Sequence, residues 1–236
     1  MLEAAQGMGQ TDFHTHHAIQ ITLALEGGFA LRTADACEAG PAVAVASDAS
    51  HIFQATGLAA FLFVEPESPA GRALAAGFTG ALNPLGTPAL SGHMAALAAG
   101  FRASCDEAAL IGLGQTIIDD LAGSHAAPAP DPRVAAMLAY AEAGLDTALS
   151  LPGAASAACL SPSRARHLFA EQTGLPFKTY ILWLRISRAV ELYASGASLT
   201  DAAHEAGFAD SAHLSRTFRR TFGLPAAALR VNDRAA

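Results

Sequence analysis

Ser163–Pro176 reads SRARHLFAEQTGLP, and Ala212–Pro225 reads AHLSRTFRRTFGLP. The second stretch repeats the first at an offset of 49 residues without a gap. Phe169 matches Phe218, and Gly174-Leu175-Pro176 matches Gly223-Leu224-Pro225. Each stretch reads as a helix with a core Phe near its middle, ended by a glycine that can adopt the left-handed conformation. Each follows a short helix and a tight turn. In the second copy Leu199–Ala206 is the short helix, and Gly207 is the turn, where positive φ costs glycine little. Asp210 or Ser211 then caps the next helix. A helical bundle also contains short helices and glycine turns, but it need not repeat its turn chemistry at a fixed offset. The repeat is the sequence form of two helix-turn-helix motifs.

The same helical pattern extends through the rest of the back half. Val134, Met137, Leu138 and Ala141 mark one amphipathic helix, and further helices are expected at about 152–159, 162–172, 177–195, 199–206 and 211–222. Residues 150–225 resemble the AraC/XylS family of bacterial transcription regulators. The matching stretches are LSPSRARHLFAEQTG, FKTYILWLRISRAVELYASG and SLTDAAHEAGFADSAHLSRTFRRTFG. The resemblance implies a domain of two helix-turn-helix motifs joined by a long helix, with double-stranded DNA as partner and RNA polymerase as a candidate second partner. Two departures stand out: Cys159 replaces the usual glycine of the first turn, and Pro225 comes one place early, with Ala226 where the family has its proline.

A recognition helix turns one face to base edges and packs the other on its neighbours. In the first motif Ala165, Leu168 and Phe169 form the packed side, leaving Ser163, Arg166 and His167 outward. In the second, Leu214 and Phe218 are core, and Ser211, Ala212, His213, Ser215 and Arg216 face out. By resemblance these correspond to the family's base-contacting positions. Arg166 and Arg216 are the expected guanine readers, since a guanidinium can pair bidentately with O6 and N7. Arg164, Lys178, Arg219 and Arg220 are expected on phosphates, which fix register without reading sequence.

Charge is distributed to match. The chain of 236 residues carries −7 overall, but residues 1–130 carry −9 and residues 131–236 carry +2. A phosphate backbone would attract only the second half. Between the halves, SHAAPAPDP at Ser124–Pro132 cannot continue a helix and reads as a linker. The expected division is a sensor or dimerisation domain over 1–123, a linker over 124–132 and a DNA-binding domain over 133–236.

The front half begins as strands over 11–67. Ile19, Ile21, Leu23 and Leu25 alternate with Gln20, Thr22, Ala24 and Glu26. Gly27-Gly28 turns the chain, Phe29–Thr33 resumes the alternation, Val43 and Val45 begin another strand, and Phe61–Val64 is a buried strand closed by Pro66. The pattern predicts a small β-barrel or sandwich. From Ala70 to Gly123 it predicts helix. Leu110, Leu113, Ile117, Ile118 and Leu121 form a stripe that either packs on its own domain or makes a homodimer.

Phe13-His14-Thr15-His16-His17 opens the strand region. His14 and His16 share one strand face with Gln20, while His17 is expected to face solvent. His51 follows in SDASH. The set resembles the cupin barrel, whose first motif is HxH followed by Glu and whose second brings a later His. Here Gln20 stands in the Glu position. The resemblance covers roughly residues 11–67. His14, His16, Gln20 and His51 can bind a divalent transition metal such as Zn²⁺, Ni²⁺ or Fe²⁺. They can equally hydrogen-bond a small organic effector, or form a polar strand edge with no ligand.

Other classes find little footing. No apolar run reaches the roughly 18 residues of a membrane span, and MLEAAQGMGQ lacks the pattern of a secretory signal. Cys37, Cys105 and Cys159 lack CxxC spacing and read as reduced thiols of a cytoplasmic protein. No Ser/His/Asp, phosphate-loop or dinucleotide motif appears, so no catalytic residue is expected. The expectation is a ligand-responsive regulator. The alternatives are a metal-dependent cupin enzyme fused to a DNA-binding domain, and a DNA-binding module whose front half only dimerises.

Overall fold

The structure is a computed structural model that describes residues 2–6, 10–103, 107–123 and 129–226. The chain divides into two compact units, residues 1–128 with 220–236, and residues 129–219.

The first unit is sheet-rich. Its strands are β1 (Leu2–Gln6), β2 (Ile19–Ala24), β3 (Phe29–Arg32), β4 (Cys37–Ala39), β5 (Ala42–Val45), β6 (Ile52–Ala55), β7 (Leu58–Val64) and β8 (Leu82–Pro84). Helix α1 (Pro69–Ala76) precedes β8, and α2 (Leu90–Arg102) and α3 (Glu107–Ala122) follow it. One sheet has the order β1-β7-β2-β5-β8 and the other β4-β3-β6. Every pairing is antiparallel.

The alternation in β2 explains how these layers stack. Ile19, Ile21 and Leu23 point to the face that α1, α2 and α3 cover, where they join Leu74, Leu97, Ile117 and Leu121. A second apolar cluster joins Val43, Val45 and Phe61 of the large sheet to Phe29, Leu31 and Phe53 of the small one. The polar positions Gln20 and Thr22 are therefore buried as well, instead of facing water. A slip of one residue would exchange the two faces, so burial on both sides holds the register strictly.

Two expectations need amendment, and an alternative left open for α3 is narrowed. The two sheets are not joined into a closed barrel among the described residues; the segment before β2 meets β6 and the neighbouring His51 through isolated bridges, Gln10–Gln54 and His14–His51, and not through a continuous ladder. The stretch expected as all helix contains β8, which pairs with β5. The apolar stripe of α3 packs on its own domain, with Ile117 and Leu121 buried and Leu110, Leu113 and Ile118 against the same cluster. Ile111 is its exposed apolar residue.

The second unit is helical. Of the stretch read as a linker, residues 124–128 lie outside the described residues. Its last two residues open a helix: Asp131 caps α4 (Pro132–Ala143) by accepting the Arg133 N–H, and Pro132 occupies the first turn, where its missing N–H costs nothing. Then come α5 (Leu151–Ala157), α6 (Pro162–Thr173), α7 (Phe177–Ala194), α8 (Leu199–Glu205) and α9 (Ser211–Phe222). Helix α7 is the spine. Its Phe177, Tyr180, Trp183, Ile186 and Val190 are buried, and the Phe169 ring of α6 lies edge-on to Phe177 at 5.2 Å and to Tyr180 at 5.4 Å.

Candidate functional site

The two motifs have the same local geometry. After α5 the Leu160 N–H reaches back to the Ala155 carbonyl at 2.8 Å; after α8 the Phe208 N–H reaches the Ala203 carbonyl at 2.8 Å. This is the hydrogen-bond closure of a helix ended by a left-handed residue. Gly207 takes that conformation at φ +78°, and Cys159 takes it at φ +54° in spite of its side chain. The missing glycine therefore leaves the first turn intact. Ser161 caps α6 by accepting the Arg164 N–H, and Asp210, the first of the two expected residues, caps α9 by accepting the His213 N–H at 2.6 Å. Gly174 and Gly223 both have positive φ, as the repeat requires.

The outward faces largely hold. Ser163, Arg164, Arg166, His167, Lys178, Ala212, Arg216, Arg219 and Arg220 are exposed. Ser211, His213 and Ser215 are half-buried. The His213 ring leans edge-on against Phe208 at 5.2 Å, and the Ser215 hydroxyl donates to the Ser211 carbonyl at 2.8 Å. Arg166 and Arg216 have no carboxylate partner among the described residues, so both guanidinium forks are available.

In the sheet-rich unit, His14, His16 and His51 come together. Each offers a ring nitrogen, and the three atoms lie within 4.8 Å of one another. All three rings are buried. Their Nδ1 atoms lie against backbone carbonyls: His14 on Asp12 at 2.8 Å, His16 on Ala18 at 2.8 Å and His51 on Ala49 at 2.9 Å. A carbonyl only accepts, so each Nδ1 carries the proton and each Nε2 is left with a lone pair. Gln20 lies with them, its amide between His16 Nε2 at 3.0 Å and Thr22 Oγ1 at 2.9 Å. A lone pair on His16 Nε2 calls for the amide NH₂, which turns the amide oxygen to the Thr22 hydroxyl.

Electrostatics keeps this cluster neutral. Burial, and then the neighbouring imidazoles, push His16 down to about 4 and His51 down to about 2; burial also lowers His14. His51 Nε2 is buried and has no hydrogen-bond partner.

His17 corrects the sequence reading. It is buried, not solvent-facing, with Nδ1 3.2 Å from Asp48 and Nε2 2.8 Å from Glu67. Burial works against its charge, but the hydrogen bonds and charges of the two carboxylates prevail and raise it to about 9. It is an imidazolium clamped between two loops. Two carboxylates far apart in sequence left no local sign of this.

Residues 154–232 match a family model described as Helix-turn-helix domain. That stretch of the chain is a helix-turn-helix domain. The chain is similar in fold to ToxT from Vibrio cholerae O395, at 12% identity and a TM-score of 0.62, covering 98% of each chain. It is also similar to unsaturated fatty acid bound wild-type ToxT from Vibrio cholerae strain SCE256, at 12% identity and a TM-score of 0.57, covering 95% of this chain and 91% of that one. No curated protein sequence matches the chain significantly. The likeness to ToxT shows a sheet-rich N-terminal domain followed by a helical C-terminal one. No helix among the described residues is long and apolar enough to cross a membrane.

The donor set of the sheet-rich unit fits a transition metal. Metal-bound imidazoles are neutral and usually hold the other N–H on a carbonyl or carboxylate, as all three do here. The orphaned His51 Nε2 is the buried atom such an ion would satisfy. A zinc–nitrogen bond of about 2.1 Å places tetrahedral donors roughly 3.4 Å apart, so the rings must close slightly and Gln20 must give up His16 Nε2.

Proposed function

We propose that this chain is a sequence-specific DNA-binding transcription regulator whose N-terminal domain senses a metal ion or small ligand. The observation that carries the reading is the paired motif: two matched turns, each followed by a capped helix with an unpaired arginine on its exposed face. Arg166 and Arg216 read guanine. Ser163, His167, Ser211, Ala212, His213 and Ser215 lie along the same edges, and Arg164, Lys178, Arg219 and Arg220 hold phosphates. Two motifs on one chain read an asymmetric site about one helical turn apart.

The test is selection of a duplex by the wild-type chain, followed by footprinting of variants. Arg216→Ala is expected to cost about 1–3 kcal/mol and to relax choice at one base pair. An unchanged footprint with unchanged base preference would remove Arg216 from the reading face.

The sheet-rich domain is read as an open, cupin-like sandwich with His14, His16, His51 and Gln20 as its ligand set. A divalent ion such as Zn²⁺, Ni²⁺ or Fe²⁺ bound there would act as a Lewis-acidic anchor. A ligand that prefers one arrangement of the protein shifts the population competent for DNA. Elemental analysis of the purified chain is expected to give about one transition metal per molecule, lost in His51→Ala. Metal absent from both proteins favours the second reading, an organic effector, which the hydrogen bond already made between Gln20 and His16 supports. ToxT, of similar fold, has been crystallised with an unsaturated fatty acid.

No turnover is expected, because the set lacks the cupin carboxylate. Dimerisation through α3 loses most of its apolar stripe to the domain's own core and would rest on Ile111. RNA polymerase is the partner through which a regulator of this kind would act.

A further inference from the structure

Arg185 is not among the residues expected on DNA above. It is half-buried on α7, and its side chain lies over Gly207, the left-handed turn of the second motif. A Cβ at Gly207 would stand 3.1 Å from its Nε and 3.3 Å from its Cζ. The Nε atom is buried and makes no hydrogen bond. No carboxylate among the described residues pairs with Arg185. The contrast within the domain is clear: Arg133 is held by Asp131 and Arg188 by Asp146.

A guanidinium keeps its charge at any ordinary pH. Packing one against a backbone turn, with a donor desolvated and no counter-charge, is unfavourable unless an acceptor arrives from outside the chain. A leucine or methionine would fill the same space without that cost. The contact with Gly207 also fixes the plane of the fork, and a pre-oriented planar fork suits a phosphate oxyanion better than a mobile ammonium does.

We infer that Arg185 is a phosphate-binding residue of the second helix-turn-helix, its Nε end held against Gly207 and its terminal guanidinium nitrogens meeting a phosphodiester oxygen of DNA. The inference rests on the DNA-binding reading and adds a residue to it. It also gives Gly207 two reasons to be glycine, its φ and the guanidinium lying across it.

The test is the salt dependence of binding by the full chain to a fluorescent duplex of about 40 base pairs selected by the wild-type protein. Each phosphate contact contributes roughly 0.9 to the slope of log K against log salt. Arg185→Gln is expected to flatten the slope by about 0.9, weaken binding to all sequences alike and leave the melting temperature unchanged. Arg188→Gln, an equal charge change on the same helix at a guanidinium already engaged by Asp146, is expected to leave the slope unchanged. An unchanged slope in Arg185→Gln, or equal flattening in both variants, overturns the inference. Should Arg185→Gln fail to fold, the wild-type Arg185 Nε–H resonance, assigned through Arg185→Lys, is read instead. A shift on adding the duplex supports the contact, and no shift overturns it. A wild-type chain that binds no duplex at low salt overturns this inference and the regulator reading together, whereas normal wild-type binding with an unaffected Arg185→Gln overturns only the former.

Discussion

Cys159 shows what one residue can and cannot change. Its φ of +54° belongs to the left-handed region, which costs a residue with a Cβ roughly 1–2 kcal/mol. Glycine there would avoid that cost but add about 0.5–1 kcal/mol of unfolded-chain entropy. Cys159→Gly is therefore expected to raise stability by about 0.5–1 kcal/mol, read as a higher urea midpoint at unchanged slope. A lower midpoint would mean the thiol, exposed in this structure, makes up the difference in some other way. The turn survives the substitution because its hydrogen bonds run from backbone to backbone, from Leu160 to Ala155 and from Cys159 to Ser156. The residue scale is also where the sequence was least legible. That His14, His16 and Gln20 belong together could be read from spacing and alternation, and the resemblance to the cupin barrel added His51. The partners of His17 could not, because Asp48 and Glu67 lie 31 and 50 residues away.

At the scale of elements, the helices of the back half lie within about two residues of where their sequence signals place them. The signals are local: Ser150, Ser161 and Ser198 each accept an N–H from three residues on, Pro152 and Pro162 sit in first turns, and Gly174 ends α6. Asp210 does the same for α9. Asp210→Ala is expected to cost about 1 kcal/mol of stability. It should weaken DNA binding further, because the fraying turn carries Ser211, Ala212 and His213. Amide hydrogen exchange of residues 211–214 reads this directly; unchanged protection would show that packing of Leu214 and Phe218 alone holds the helix start. Strands were harder to find. β8 is only Leu82-Asn83-Pro84, too short to alternate, and exists because β5 lies beside it.

For the molecule as a whole, the titrating histidines act in opposite directions. His14, His16 and His51 have folded values below the ordinary 6.5, to about 4 for His16 and about 2 for His51. As pH falls below 6.5 the unfolded chain takes up protons that the folded chain refuses, so stability falls. His17 is raised to about 9. Its contribution is complete below 6.5 and is lost as pH rises toward 9. The metal-free protein is expected to melt highest near pH 6.5 and lower on both sides, with the alkaline fall flattened in His17→Gln. A melting temperature that rises steadily from pH 6.5 to 9 would contradict the clamped imidazolium.

The paired motif, its caps, its turns and the outward arginines were determined by the sequence alone, because each depends on residues within about one helical turn of one another. His14, His16 and Gln20 were grouped by a local two-residue alternation, although only Gln20 lies in a named strand, and His51 was added through the resemblance to the cupin barrel. Tertiary structure alone decided whether the strands close. It arranged them as two facing sheets with helices over one outer face, which buried Gln20, Thr22 and His17 where alternation alone would leave them wet. It also brought Arg185 across Gly207. Such choices depend on which distant surfaces meet, and the energy that selects them comes from burying faces that no local pattern pairs.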